Sequence, residues 1–564
     1  MIREGLSLNI IFCLIFVALS LLCYSNALNN AFILDDDFLI SNNPYVKDLT
    51  LAPKLFGVDI FHFKNRDLSI PNLYYRPLQM LSYSFDYLFF KLNVYGYHLT
   101  NVLLHSLNCF VLFLLLGLIF KDKILAFLTS AIFCIHPIQV SVVAYITGRG
   151  SILETTFMLL SLFFVVKYFL LEKKAYYAFS LLFFILALFT REWAVLLPIF
   201  VAICAFFLQI ERKKIFIYVL PFWLIVGAYI VFRLFFMPCS KCTLMNLFSL
   251  MKIKDFIFLS QDYLSQLIFP VGLRSLFFGN ATLFIKTALI FLAWLITIAC
   301  LAGAIIFKKK TLVFGLLFYF VGLLPAINLI DHIDYFGVIL SEHYLYLSCI
   351  GIFFILANAL IFLEKRIGIS VKVLVAMFFL FYMCLTILNN NYYKEQIVFY
   401  RHILSVEKNH SFVRVNLGNA YFQKNMFDQA IKEAQATLSL EPDAWDAYLL
   451  LGNAFKGKGQ IEQAIKFYRK TIQFNPVGIQ GYLNLGITLA EAEDLAGAES
   501  VFKDVLIRFP DSIELRWNLG ALYGNTGNFK KAILVWQEGL VLDPNDKRLR
   551  DNISYANELE KKVY

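Results

Sequence analysis

Asp35, Asp36 and Asp37 stand side by side in the apolar stretch Phe32-Ile33-Leu34-Asp35-Asp36-Asp37-Phe38-Leu39-Ile40. Adjacent carboxylates repel, and close to hydrocarbon each is costly to keep ionised. A cluster of this kind suits a cation, a phosphate-bearing ligand with its counter-ion, or a proton to be moved. The plain alternative is a solvated run of loop charge. Other groups that carry chemistry recur along the chain: Arg76, Asp86, Arg149 within Gly148-Arg149-Gly150, Glu154 one turn later, Arg191-Glu192, and Ser341-Glu342-His343-Tyr344. Arginine grips phosphate through paired hydrogen bonds, and a carboxylate can take the proton of an attacking hydroxyl. Together these types fit sugar transfer from a membrane-anchored phosphate donor. Each also has a structural reading: Arg76 as an interface anchor, and Arg149 with Glu154 or Arg191 with Glu192 as ion pairs. His136, next to Pro137, reads first as a packing residue at a kink. Three adjacent carboxylates also suit Mg²⁺ or Mn²⁺.

The elements that position these groups are membrane spans. The chain has 564 residues, 60% hydrophobic and 16% charged, with 60 Phe and 30 Tyr, too apolar for a soluble globular protein. Apolar segments of bilayer-crossing length fall at 7–27, 98–120, 124–143, 151–171, 175–190, 193–210, 215–236, 283–307, 311–330, 344–363 and 371–389. A shorter stretch, 256–271, reads as interfacial or re-entrant. Basic loops such as Lys121-Asp122-Lys123 and Lys308-Lys309-Lys310 occupy alternate connections. The positive-inside rule then gives eleven spans, a cytosolic N-terminus acting as an uncleaved signal-anchor, and an external C-terminus. Loop 28–97, with the aspartates, lies outside. So do the turns carrying Arg149 and Arg191. An external cavity has no ready supply of nucleotide sugars, which favours a lipid-linked donor. The net charge of +10 is spread over loops and the C-terminal part and implies no nucleic-acid partner. Most of the ten cysteines, including Cys13, Cys109, Cys134 and Cys384, read as small core residues; Cys239 and Cys242 are the one close pair and could form a disulfide. Asn280, Asn409 and Asn552 begin sequons on the external side.

From residue 411 a period of 34 residues appears. Gly418, Gly452, Gly486 and Gly520 keep it, as do Ala430, Ala464, Ala498 and Ala532, and Pro442, Pro476, Pro510 and Pro544. That period, with small residues between paired helices and a terminal proline, is the tetratricopeptide-repeat pattern. The predicted organisation is all-α: a multi-span membrane domain over 1–389, a connector over 390–410, four repeats over 411–546 and a capping helix over 547–564. Stacked repeats present a concave face for a protein partner.

The ordered motifs resemble a known family. Phe32-Ile-Leu-Asp35-Asp36-Asp37 with Asn42-Asn43-Pro44 comes first, followed by Tyr75-Arg76-Pro77-Leu78 and Gly96-Tyr97-His98-Leu99-Thr100-Asn101 through His105-Ser-Leu-Asn108. Then come His136-Pro137-Ile138-Gln139, Gly148-Arg149-Gly150, Arg191-Glu192 and Ser341-Glu342-His343-Tyr344-Leu345-Tyr346, and finally the repeats. The chain looks like the transmembrane and tetratricopeptide-repeat protein O-mannosyltransferases and their bacterial relatives, of the GT-C class. The resemblance implies a polyprenyl-phosphate sugar donor, a hexose such as mannose, and transfer to a protein or surface-glycan hydroxyl on the external face. Carried over, Asp35 or Asp36 is the catalytic base. Arg191, Arg149 and Arg76 are the donor-phosphate contacts, with Asp37, His136, Glu192, Glu342 and His343 in support. It implies no resident metal. Arg191 and His343 depart from the family, which tends to have Lys and Arg there. The composition points to a bacterial inner membrane with the repeats in the periplasm; the endoplasmic reticulum, with the repeats in the lumen, is the alternative. The alternative function is a non-enzymatic membrane scaffold whose repeats organise envelope or glycan assembly.

Overall fold

The computed structural model describes residues 2–57, 74–236, 260–270, 273, 277–278, 309–324, 339–340 and 342–563. It divides into two compact units, Met1–Phe399 and Tyr400–Tyr564. Among the described residues, the regular structure of the first unit is helical apart from a two-residue antiparallel pair, Phe277–Phe278 with Ile339–Leu340. Its helices are α1 Ile2–Tyr24, α2 Pro77–Phe90, α3 Val94–Phe120, α4 Lys123–Ile135, α5 Arg149–Leu171, α6 Lys174–Leu188, α7 Leu197–Phe207 and α8 Arg212–Phe236. They continue, among the described residues, with α9 Lys310–Leu323, α10 Leu345–Ile367 and α11 Ile369–Asn390. Residues 260–268 are also helical.

Six helices are long and apolar enough to cross a bilayer, or seven when α4 and the bent continuation Pro137–Val143 count as one span. The expected eleven are therefore not reached among the described residues. Lys174–Leu188, Glu192–Phe207 and Lys310–Leu323 are shorter apolar helices. The expected span 283–307 lies outside the described residues, as do Cys239, Cys242, Asn280 and Ser341.

Local chemistry sets the helix ends. The Asn93 side chain accepts the Tyr95 N–H and starts α3; Lys121, at φ 54°, ends it. Asp122 then accepts the N–H groups of Ile124 and Leu125, each at 3.0 Å, and starts α4. The two-residue turn Lys121-Asp122 is thus enough to reverse the chain. α4 stops at His136 because Pro137 has no N–H to continue it, and the chain bends by 52°.

α3 packs against α1, α4 and α5. Its His98, Asn101, His105 and Asn108 are all buried. Their three- and four-residue steps place them on one face, so an apolar helix carries a polar seam into the bundle. α9 and α10 meet backbone to backbone: a Cβ on Gly351 would strike the Gly315 carbonyl oxygen. Without a hydrophobic drive between helices in lipid, such close approach supplies much of the attraction.

The second unit holds four helix pairs: Ser411–Gln423 with Phe427–Leu440, Trp445–Gly457 with Ile461–Phe474, Ile479–Glu491 with Leu495–Arg508, and Ile513–Asn525 with Phe529–Leu542. Lys547–Val563 closes the stack. Tyr468, Leu483, Phe502, Leu515, Trp536 and Leu549 belong to one continuous core. Each repeat buries its face only against a neighbour.

Gly351→Ala is expected to cost about 1–3 kcal/mol by overpacking and to lower the melting temperature in detergent. Gly227→Ala, where a Cβ meets nothing within 4 Å, is expected to leave it unchanged.

Candidate active site

The aspartate loop is held in an unusual backbone shape. Leu34 sits at φ 52°, a left-handed conformation that costs a non-glycine residue of order 1 kcal/mol. Asp36 compensates. It is fully buried, and its Oδ2 accepts the Ile33 N–H at 3.1 Å while Oδ1 accepts the Thr147 N–H at 2.9 Å. One carboxylate therefore locks the loop onto the turn before α5. Burial nonetheless pushes Asp36 up to about 8, against the pull of those hydrogen bonds.

Asp35 faces the other way. Its N–H donates to the Tyr145 hydroxyl at 3.3 Å, and its side chain is open to solvent. It lies in a recess, reached by water yet ringed by protein. That desolvation raises its carboxyl above the ordinary range, while the Arg76 guanidinium and the Tyr145 hydroxyl pull it down. Asp37 is half-buried, accepts from Ser41 Oγ at 3.3 Å and Gln396 Nε2 at 3.5 Å, and is raised by burial. The three carboxylates thus serve different partners.

The turn that receives Asp36 rests on Arg149. This side chain is fully buried, 2.5 Å from Asp86. Its Nε donates to Asn101 Oδ1 at 2.7 Å, its Nη2 to the Tyr97 carbonyl at 2.8 Å and its Nη1 to the Ser82 carbonyl at 3.4 Å. The guanidinium also lies 4.9 Å from the centre of the Tyr83 ring. Asn101 in turn donates to the carbonyls of Tyr145 and Ile146, and Gln79 to that of Thr147. Arg149 is therefore engaged by the framework and closed off from solvent, whereas the resemblance implied a phosphate contact. Its ion-pair partner is Asp86, not Glu154.

Arg76 and Glu192 form a two-point pair, Nε to Oε2 at 3.2 Å and Nη2 to Oε1 at 2.6 Å. Neither of the anticipated pairs within the Arg149 or Arg191 turns forms. Arg191 bonds Ser151 Oγ instead, and its Nε–H finds no partner among the described residues. A small cavity of about 30 Å³ opens here. Arg191, Glu154, Trp193, His343 and Tyr344 line it. Arg191 and Glu154 are each only 7% exposed. Arg191 Nε, Trp193 Nε1 and Glu154 Oε1 are all buried without a hydrogen-bond partner among the described residues. Tyr74 ties this cavity to the aspartate loop, being within electrostatic reach of Arg76, Glu192, Arg191 and Asp35 alike.

Of the sequence candidates, Asp35, Arg76, Arg191 and Glu192 fall in one electrostatic cluster, with His343 on the cavity wall. Glu342 is buried beside it, at the start of α10. His136 does not join them: its Nδ1 accepts the Ile138 N–H and its Nε2 donates to the Leu267 carbonyl, both at 3.1 Å, and Phe353 and Tyr382 pack on its ring. It is a packing residue. Sequence reasoning gave no role to Tyr145, Thr147, Gln79 or Trp193. They sit in apolar runs or turns with no periodic signal; only nearness in the chain to Arg149, Arg191 or, for Gln79, Arg76 marked them.

Fold and repeats define the class: a polytopic helical membrane protein with a C-terminal tetratricopeptide-repeat domain. The tetratricopeptide repeat family matches residues 415–478 and 483–547. Within that class, the chain is similar to proteins named as protein O-mannosyl-transferases. It is 33% identical over 170 residues to one from Caenorhabditis elegans, covering 29% of this chain and 24% of that relative. It is 36% identical over 144 residues to TMTC1 of Mus musculus, covering 25% of this chain and 15% of the relative. It is 32% identical over 139 residues to TMTC3 of Mus musculus, covering 24% and 15%. The matches thus span less than a quarter of these relatives' own length. Among solved structures, MamA is 21% identical over 26% of this chain and 81% of its own, with a TM-score of 0.24.

Asp86→Ala is expected to cost about 3–5 kcal/mol, since it strands the buried Arg149 charge. The double variant Asp86→Leu with Arg149→Met is expected to recover most of that loss, because it removes both charges at once. A double-mutant cycle on melting temperatures in detergent checks it.

Proposed function

We propose that the chain transfers a hexose, mannose by resemblance, from a polyprenyl-phosphate donor to a hydroxyl of a protein on the external face of the membrane. The observation that carries this reading is the cavity with two donors left unpartnered among the described residues, Arg191 Nε and Trp193 Nε1, linked through Tyr74 to a raised, water-reachable carboxylate at Asp35. Unsatisfied buried donors are costly, and a phosphate oxygen would satisfy them. At about 30 Å³ the cavity admits water rather than a sugar phosphate in this conformation.

Asp35 is the general base. It takes the acceptor hydroxyl's proton as that oxygen bonds to the anomeric carbon. The bond from that carbon to the phosphate oxygen breaks, and polyprenyl phosphate leaves with the electron pair. Arg191 receives the developing negative charge. Arg76 carries the charge of Glu192 and faces Asp35, so it tunes the base more than it meets phosphate. Asp36 positions the loop. The repeats recruit the acceptor protein, and lipid surrounds the donor's chain. The bacterial periplasmic side is the compartment that composition favours, with the lumen of the endoplasmic reticulum the alternative.

Asp35→Asn is expected to lower transfer by roughly 10²–10⁴-fold with the melting temperature retained. The wild-type rate should rise with pH as Asp35 loses its proton, and this rise should lie above the ordinary carboxylate value of about 3.9. Burial places it there, and the limb should vanish in the variant. Full activity in Asp35→Asn with a lipid-linked donor would rule the base assignment out. Arg191→Gln is expected to raise the donor KM or lower kcat at least tenfold, read in the same assay. Removing 411–564 should spare slow donor hydrolysis while abolishing protein modification; a scaffold would show no hydrolysis in either form.

A further inference from the structure

Away from the candidate active site, His105, Cys109 and Cys134 each bring a metal-ligating atom to within 4.8 Å of the others, and all three are buried. His105 and Cys109 are four residues apart on α3 and share a face. Cys134 reaches them from α4. The third side is α1, where Ser20 Oγ lies 3.2 Å from Cys134 Sγ and the Tyr24 ring stands edge-on to His105 at 5.7 Å. The Tyr24 hydroxyl is fully buried and has no hydrogen-bond partner among the described residues. It nevertheless lies within electrostatic reach of Cys23, Cys134, Tyr346 and Cys109. A hydroxyl left unpaired in an apolar bundle is costly, so something else is expected to meet it.

We propose that Cys109, Cys134 and His105 hold a zinc ion between α1, α3 and α4, with the Tyr24 hydroxyl as its fourth ligand. Charge decides the metal. Two thiolates cancel the two positive charges of zinc, and neutral imidazole and phenol add none, so the complex is neutral, as burial in a lipid-embedded bundle demands. Copper(I) in the same cage would leave a net negative charge. Sulfur and nitrogen in a tetrahedral set are zinc ligands, at roughly 2.3 Å and 2.0–2.1 Å.

The imidazole is already oriented. His105 Nδ1 lies 2.7 Å from the Tyr346 hydroxyl, while Nε2 lies 3.1 Å from the Cys134 carbonyl oxygen and 3.9 Å from Cys109 Sγ. A partner on the far nitrogen is what fixes a metal-bound histidine. Without metal, Nε2–H can donate to the Cys134 carbonyl at 3.1 Å. On binding, that proton moves to Nδ1, which then donates to Tyr346, and the two thiol protons are released to solvent. Tyr346 also accepts from Asn108 at 3.2 Å, and it lines the cavity beside Arg191. The ion would brace three helices behind that wall.

The test is metal analysis of the full chain, purified in detergent without chelator or histidine tag. One zinc per chain is expected. Cys109→Ser with Cys134→Ser should lose at least nine-tenths of it, while Cys384→Ser keeps it. Replacement with cobalt(II) in the wild type should give thiolate-to-cobalt charge-transfer absorption, which also reports the site should the double variant fold poorly. Zinc well below one per chain, copper in its place, equal zinc in the double variant, or a Cys109–Cys134 disulfide in the alkylated protein would each overturn the proposal.

Discussion

The Arg149 guanidinium is enclosed by Asp86 at 2.5 Å, the Asn101 side chain at 2.7 Å and the Tyr97 carbonyl at 2.8 Å, with no exposure to solvent. Those contacts join α2, α3 and α5 at one point. A buried charge tolerates little movement, because any partner lost leaves a desolvation cost unmet. The constraint passes on through Asn101, which holds the carbonyls of Tyr145 and Ile146, to Thr147, whose N–H meets Asp36. The strained Leu34 backbone, and with it the outward aim of Asp35, rests on that chain of contacts. An arginine closed off from solvent thus sets where the candidate base stands.

Charge is divided unequally around the cavity. Arg76 is satisfied at two points by Glu192, so its pull on Asp35 is that of a fixed pair. Arg191 shares its charge with Ser151, a neutral hydroxyl, and with the more distant Glu154 and Glu192. It keeps an unspent donor where a second anion would be welcome. The two arginines are alike in sequence, each beside an aromatic or acidic neighbour. What separates them is which carboxylate reached which guanidinium.

Much of the architecture was legible in the sequence for physical reasons. The 34-residue period reports helix pairs that need neighbours to bury their faces, and small residues at fixed steps report close packing. Long apolar runs report helices such as α3 and α10. Span number was less legible: 16-residue apolar runs such as 175–190 fold as the short helix α6, and hydropathy does not distinguish a span from a buried helix. In the site, the clustering of Asp35 with arginines was visible from topology alone. Pairing was not. Arg149 with Asp86 and Arg76 with Glu192 join residues 63 and 116 positions apart in sequence. Nearest-neighbour logic favoured Glu154 and the Arg191 turn instead. The roles of Asp35 and Asp36 were likewise indistinguishable until Thr147 and Tyr145 were placed beside them.

The most direct test of the account is a structure of the full chain with a non-hydrolysable polyprenyl-phosphonate mannose analogue. The phosphonate is expected against Arg191 Nε and Trp193 Nε1, with the anomeric carbon turned toward Asp35. A phosphonate seated elsewhere, with Arg191 still bound only to Ser151 and Asp35 remote from the sugar, would contradict it.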